Sequence, residues 1–386
     1  MDFDLGEDTR LMRDAFLDWV KGELVPLEQS ERVDPDAGIP DALVRRVRRR
    51  SAELGYYSHH MPEEVSGGGF SMVDSVVLRE AAGSTGSPLA AVAIAGPEGP
   101  SPMHLMFDAR QREKYLAPLI HGGTSACFML SEPGAGSDAQ ALRTRAERRG
   151  DGFVLNGTKH FITNGKEAAW GVVFAATDPE RRARGGISAF IVEPGMYRVG
   201  RAHHGMAGFE GQTEIVFEDA EVPAENLVGR EGFAFPAAMK FLGTGRLQIA
   251  ANCVGIAEYL LGLGVEYSKA RETFGEPLAA RQAIQWMIAD SATEIYAARH
   301  MCRHAAWLVD QGKEATRELS MCKLHATEMV NRVCDRMLQI HGGVGWMRGV
   351  AVERYYRQLR VLRIVEGASE IQRVIIARSY VGDLAR

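Results

Sequence analysis

The sequence predicts an α+β multidomain protein: an N-terminal α-helical domain (residues 1-124), a middle antiparallel β-barrel or sandwich domain (125-230) and a C-terminal helical bundle domain (231-386). Three observations carry this. The chain has 386 residues, more than one hydrophobic core usually serves, so two or three structural units are expected. Apolar residues recur at helical spacing to about His121, give way to short runs with turn signals, and return to helical spacing from about Glu231. Its composition, 46% hydrophobic and 25% charged, is that of a compact globular chain and excludes a disordered or collagen-like one.

Between Thr9 and Leu27, the residues Leu11, Ala15, Phe16, Trp19, Val20 and Leu24 form one apolar stripe. Similar stripes follow, broken at Ser66-Gly67-Gly68-Gly69 and at Gly96 to Pro100. Residues 152-163 contain two short runs around Asn156-Gly157, which predicts a hairpin turning there. Asn156-Gly157-Thr158 also spells a glycosylation sequon, and the turn reading is preferred. Further strands are expected at 171-177, 187-192 and 213-217. Helical spacing then gives segments near 232-270, 280-311, 315-340 and 369-382. The first is apolar nearly all round through Leu247, Ile249, Ala250, Val254, Ile256, Leu260, Leu261 and Val265, as in a helix buried within a bundle.

Charge and cysteine usage narrow the partners. The formal net charge is -5, and the basic run Arg45-Arg46-Val47-Arg48-Arg49-Arg50 shares its helix with Leu43, Val44, Val47 and Leu54. It reads as a solvated helix face, so no nucleic-acid partner is expected. Five cysteines, without a CxxC pair, fit a reducing cytoplasm. The first ten residues, MDFDLGEDTR, lack the apolar core of an export signal, and no uninterrupted apolar stretch is long enough for an integral membrane segment. His300 with His304, and Cys322 with His325, have helical spacing, but without an HExxH or paired CxxC no metal is expected. No GxSxG elbow supports a hydrolase.

Several segments can carry chemistry. Phe128 to Asp138 combines apolar residues, the hydroxyls of Ser131 and Ser137, and glycines that let a backbone approach a flat or phosphorylated ligand; a surface turn is the alternative. Phe161, Ile162 and Thr163 offer an aromatic face and a hydroxyl, or a core aromatic before a turn. The segments Arg271-Glu272-Thr273-Phe274-Gly275 and Gln339-Ile340-His341-Gly342-Gly343-Val344-Gly345 can present amides and a guanidinium to phosphate, or serve as helix-helix turns. Glu366 stands between the apolar run ending in Val365 and Gly367. Ser369 and Gln372 match a capping box, so a helix is expected to begin at or beside Ser369. Glu366 then lies in an inter-helix link. Apolar neighbours raise its pKa and the adjacent helix N-terminus lowers it, two opposed influences that the sequence alone does not rank.

Taken in this order, SEPGAGSD at 131-138, NGTKHFITNG at 156-165, RETFGEPL at 271-278 and VEGASEIQR at 365-373 resemble the acyl-CoA dehydrogenase family of flavoenzymes. The resemblance spans essentially the whole chain. It implies a C-terminal four-helix bundle, FAD as cofactor, an acyl-CoA substrate, a homotetramer and an electron-transfer flavoprotein as electron acceptor. It places Phe128, Leu130, Ser131, Gly136, Ser137, Phe161, Ile162 and Thr163 around the flavin. Arg271, Thr273, Phe274, Arg281, Gln282, Gln339, Gly342 and Gly343 would hold the adenosine diphosphate half across a subunit interface, completed by Ala368 and Glu370. Ser137, Gly243, Thr244, Arg246 and Gly367 would contact substrate. Glu366 is implied as the base that takes the α-proton while the β-hydrogen passes as hydride to flavin N5, giving a trans-2-enoyl-CoA.

The chain departs from the family pattern at four points. Ala368 replaces a usual threonine, Phe161 a frequent tryptophan, and Val365 a tyrosine common in straight-chain enzymes; Gly245 occupies the position where some branched-chain members carry the base. Two other function classes compete. One is a flavin oxidase or monooxygenase on the same fold. The other is a non-enzymatic flavin-fold scaffold.

Overall fold

The computed structural model describes residues 4–206 and 211–382. In chain order its elements are α1 (Glu7–Trp19), α2 (Val25–Ser30), α3 (Asp41–Glu53), α4 (Met72–Ser84), α5 (Pro88–Ala93), α6 (Ala109–Gln111), α7 (Ala117–Ile120), β1 (Ala126–Met129), β2 (Arg145–Arg149), β3 (Gly152–Thr163), β4 (Trp170–Ala176), β5 (Ile187–Val192), β6 (Arg198–His203), β7 (Gln212–Pro223), α8 (Ala234–Ala270), β8 (Glu272–Thr273), β9 (Glu276–Pro277), α9 (Gln282–Asp310), α10 (Thr316–His341), α11 (Ala351–Leu359) and α12 (Ser369–Val381). Helices, then strands, then helices is the order the apolar periodicity predicts. The described residues gather into two compact units: those of Met1–Ile39, Phe70–Ala91 and Gly243–Arg386, and those of Pro40–Gly69 and Val92–Leu242.

The first unit is a helical core. Leu247, Ala250, Ala251, Val254, Ala257 and Leu260 of α8 are buried with Ile295, Ala298, Cys302 and Ala306 of α9 and with Leu319, Ala326, Met329, Val330 and Val333 of α10. Alanines at so many contact positions let the helix backbones approach closely. Helix α8 is long and apolar enough to cross a membrane, and 56% of its most apolar stretch is buried inside the protein, where it contributes to this core. Helix α4 is pinned at its N-terminus, where the backbone N–H groups of Met72 and Val73 donate to the carboxylate of Asp310 (2.7 and 3.0 Å). A carboxylate on the first turn of a helix satisfies donors that have no intrahelical partner. Farther along α4, Glu80 accepts from Arg299 of α9 at 2.6 Å. Together these contacts fix the helix that carries Arg79.

The second unit is built on a seven-stranded sheet in the order β1-β4-β2-β3-β7-β6, with β5 on β4. Its ladders are antiparallel except those of β1 and β2 with β4, which are parallel. Every residue of β4 and β5 is buried, so these strands read as near-continuous apolar runs, with Ser188 as their polar member, rather than alternating ones. Phe153, Leu155, Val173, Phe190, Ile215 and Phe217 fill one face of the sheet. Phe107, Tyr115, Leu116, Trp170, Val172 and Phe174 fill the other.

Two expectations are corrected here. Asn156-Gly157 is not a hairpin turn, because β3 runs unbroken through it. Its register against β7 shifts between Leu155 and Gly157, and a Cβ on Gly157 would stand 2.6 Å from Thr144 Oγ1. The glycine serves a bulge, and the hairpin lies just before it, between Arg149 of β2 and Gly152. Nor is the basic run wholly solvated. Arg45, Arg46, Arg49 and Arg50 are exposed, but Arg48 is buried and pairs with Glu98.

Candidate active site

In the first unit, Glu366 sits in the turn between Arg363 and α12. Its φ is +52° and that of Gly367 is +92°, so two consecutive residues are left-handed. For a non-glycine residue this costs about 1–2 kcal/mol, which the surroundings must offset. Side chains from three helices hold the turn by its carbonyls. Gln372 Nε2 of α12 donates to Gly367 O (2.9 Å) and to Glu366 O (3.3 Å). Lys323 Nζ of α10 donates to Gly367 O (2.9 Å), and Arg246 Nε of α8 to Glu366 O (3.4 Å).

Helix α12 begins at Ser369 as the sequence predicts, yet the capping box does not close. Ser369 Oγ instead donates to Glu328 Oε1 at 2.8 Å, and Gln372 is taken up by the turn. The same turn explains Gly245. A Cβ there would lie 2.5 Å from Glu366 Oε2, so the carboxylate packs directly on the backbone of α8.

Part of Glu366 is open, but Oε2 is buried with no hydrogen-bond partner among the described residues. Burial pushes its pKa up to about 7, against the pull of Arg79, Lys323 and Arg246. Desolvation therefore outweighs the opposing charges. Three side-chain cations, Arg79 first, supply a lowering influence that the sequence reading did not name. Burial lowers Lys323 to about 8 and lowers Arg246 as well, with Glu366 opposing both.

The other predicted substrate residues divide between the units. Gly243 and Thr244 are half-buried on α8, one turn or less from Arg246, which is buried. Ser137 is exposed in the second unit.

In that second unit, the strand end of β1 and the end of β3 are brought together. The N–H of His160 donates to Ser131 O (2.9 Å). Beneath them lies an ion pair that spacing along the chain did not reveal. Lys159, fully buried, donates to Glu132 Oε1 (2.7 Å) and to Leu130 O (3.2 Å). Glu132 also accepts from the N–H groups of Arg143 (2.6 Å) and Thr144 (3.0 Å). Burial lowers Lys159 to about 8 against the pull of Glu132. For Glu132, burial alone would raise the pKa, but Lys159 and the hydrogen bonds leave it lowered. The pair thus ties Phe128, Leu130 and Ser131 to Phe161, Ile162 and Thr163.

On the outer side of this ledge, Phe161 has φ +57° and is 60% exposed, with its ring against His160 and His203. Thr163 is exposed beside it, and Gly134 and Gly136 open onto free space. A flat apolar face rimmed by hydroxyls and open glycines is a surface for a planar ring. Ile162 and Leu130, by contrast, are buried and support the ledge from within.

A third cluster forms in the first unit. Arg281 Nη2 donates to Thr273 O (2.6 Å), and its guanidinium lies over the ring of Phe274, which is 99% exposed. Arg271 O accepts from Leu278 N (2.6 Å), which shapes the β8–β9 turn, and Gln282 opens α9. Gln339, Gly342 and Gly343 lie at the end of α10, where His341 stacks on Tyr267 near the end of α8 (4.4 Å). Ala368 caps α12, and Glu370 is exposed in its first turn.

The second unit thus offers a ledge with open glycines, and the first an arginine pair and a buried carboxylate, surfaces of the class that suits planar, phosphorylated ligands. The chain matches the acyl-CoA dehydrogenase N-terminal domain over residues 6–123, the middle domain over 127–220 and the C-terminal domain over 232–381. It belongs to the acyl-CoA dehydrogenase family. It is 38% identical over 384 residues to acryloyl-CoA reductase (NADH) of Anaerotignum propionicum, covering 98% of this chain and 95% of that protein. It is also 38% identical over 386 residues to the mitochondrial short-chain specific acyl-CoA dehydrogenase of Mus musculus, covering 98% and 92%. The solved butyryl-CoA dehydrogenase from Megasphaera elsdenii superposes with a TM-score of 0.87 at 33% identity, covering 99% of this chain and 100% of that one.

Proposed function

We propose that this protein dehydrogenates an acyl-CoA thioester between Cα and Cβ, giving a trans-2-enoyl-CoA, with Glu366 as the base. The observation that carries this reading is a buried, unpartnered carboxylate oxygen on a residue whose pKa is pushed up to about 7. Such a group is partly ionised at neutral pH and is a stronger base than a solvated glutamate. It takes the α-proton, and its own backbone N–H donates to the thioester carbonyl, where charge develops as the proton leaves. Gly367 leaves room for the thioester, and Ser137, Gly243, Thr244 and Arg246 serve the CoA side.

FAD is the cofactor, and the residues present fit it. Phe161 keeps most of its ring exposed in a left-handed backbone, and the open glycines leave space for a ring to lie on the ledge. Ser131 and Thr163 supply hydroxyls to its edge. Arg271 and Arg281, with Thr273, Phe274, Gln282 and the Gln339 to Gly343 segment, suit the diphosphate half; Ala368 and Glu370 border it. When bound, FAD supplies the acceptor for the β-hydrogen as hydride. An electron-transfer flavoprotein then takes the electrons. Trp286, Tyr296 and Trp346, all exposed, favour burial against further copies in a homotetramer. Five free, buried thiols suit a reducing cytoplasm.

Anaerobic addition of a suitable acyl-CoA to the FAD-loaded protein tests the reading. Flavin absorbance bleaches in the parent protein and stays in Glu366→Gln; a variant that bleaches at the parent rate removes Glu366 from the role. Likeness to an acryloyl-CoA reductase favours one second reading, the reverse reaction, in which protonated Glu366 delivers the proton to Cα of an enoyl-CoA. Steady-state turnover with NADH and an enoyl-CoA, exceeding that with acyl-CoA and a dye acceptor, would establish it.

A further inference from the structure

Lys323 stands where the apolar stripe of α10 calls for a hydrophobic residue. Leu319, Ala326 and Val330 share its side of the helix, and all are buried. Lys323 itself is 0% exposed. A buried ammonium is costly unless charge and hydrogen bonds compensate it, and an apolar residue of similar length would serve the core better. Its nitrogen donates to Gly367 O at 2.9 Å, the carbonyl that Gln372 also holds. Gln372 is fully buried too, and its Oε1 has no partner among the described residues. Two costly buried polar side chains therefore converge on one left-handed turn, and that turn carries Glu366.

We propose that Lys323 is a positioning residue for the base, holding the Glu366–Gly367 turn through the Gly367 carbonyl and setting a positive charge against the Glu366 carboxylate. This rests on Glu366 being the base. The charged groups that face Glu366 are Arg79 of α4, Arg246 of α8 and Lys323 of α10; Glu370 of α12 and Cys253 of α8 act on Lys323. Arg79 and Arg246 stay charged across the working pH range, so removing Lys323 takes away one cation and leaves the others constant. The carboxylate then ionises at higher pH. Loss of the hydrogen bond separately loosens the turn, and a base displaced by about 1 Å can lose about a hundredfold in rate.

The test compares Lys323→Met, which removes both charge and hydrogen bond, with Lys323→Gln, which removes charge and keeps a donor. Anaerobic flavin bleaching by acyl-CoA is followed from pH 5 to 9 in each FAD-loaded variant. The infrared band of the Glu366 carboxylate, read as parent minus Glu366→Gln in protein without substrate, gives the same midpoint without turnover. We expect the midpoint to rise in both variants, by about half a pH unit or more, and the high-pH plateau to fall about tenfold or more in Lys323→Met alone. If Lys323→Met does not fold, the midpoint in Lys323→Gln decides. Midpoints and plateaus equal to the parent, with Glu366→Gln still unreactive, overturn the role of Lys323 and leave the base in place. Bleaching by Glu366→Gln at the parent rate overturns the base and the positioning role together.

Discussion

Glu366→Gln makes the protein more stable at alkaline pH while removing its reactivity. An unfolded glutamate ionises at 4.5, and burial moves Glu366 up to about 7 in the folded protein. Below pH 4.5 both states hold the proton, and ionisation makes no difference to stability. Between 4.5 and about 7 the unfolded chain has released its proton while the folded chain keeps it, so stability falls as pH rises. Above pH 7 the folded chain carries the full cost of a buried charge. That difference in proton affinity amounts to about 3 kcal/mol, and solvent reaching the open part of the residue keeps the real figure below it. Glutamine has the same shape and never ionises. Urea denaturation of parent and variant at pH 4.5 and pH 9 measures this directly. The variant gains about 2–3 kcal/mol at pH 9 relative to its difference at pH 4.5. A difference between the two proteins that does not change with pH would refute the claim that Glu366 is desolvated.

Gly245→Ala puts a Cβ 2.5 Å from Glu366 Oε2, and the flexible carboxylate gives way more easily than the helix; bleaching slows about tenfold to a hundredfold while the thermal midpoint holds or rises, as stopped-flow absorbance and thermal denaturation will report. Lys159→Met leaves the buried Glu132 charge unpaired and lowers stability by about 3–5 kcal/mol, whereas adding Glu132→Gln restores part of it; denaturant midpoints of the single and double variants decide. Phe161→Ala, because its ring is 60% exposed, changes stability by about 0.5 kcal/mol or less yet weakens FAD retention, measured as flavin released on dilution.

Much of the helical architecture is legible in the sequence, because an apolar stripe at a 3.6-residue period has few other physical causes. The segments expected near 280-311 and 315-340 are α9 and α10 within two residues at each end. Strands β4 and β5 are legible for a related reason, since burial on both faces makes them near-continuous apolar runs. Strand β2, with exposed charged residues at four of its five positions, three arginines and Glu147, gives no such signal. Asn156-Gly157 misleads because a glycine that tolerates unusual φ serves a bulge as well as a turn. The parallel pairing of β1 with β4 leaves no local trace, because it joins residues more than forty apart.

In the site, the motif residues are legible but their supports are not. Lys159 and Glu132 lie 27 residues apart, and nothing local shows that both are buried. Lys323 left a faint signal, a charge within the apolar stripe of α10. The opposed influences on Glu366 could be named from sequence, but their balance depends on Arg79, Lys323 and Arg246, which only the folded helices bring to face it.

A base at Glu366 works from a buried carboxylate that ionises near neutrality. The most direct measurement is the rate of anaerobic flavin bleaching by an acyl-CoA across pH, in the parent protein and in Glu366→Gln loaded equally with FAD. The parent rate will rise with a midpoint near 7, and Glu366→Gln will show no bleaching at any pH. A parent profile flat from pH 5 to 9, or bleaching by Glu366→Gln at the parent rate, would contradict it.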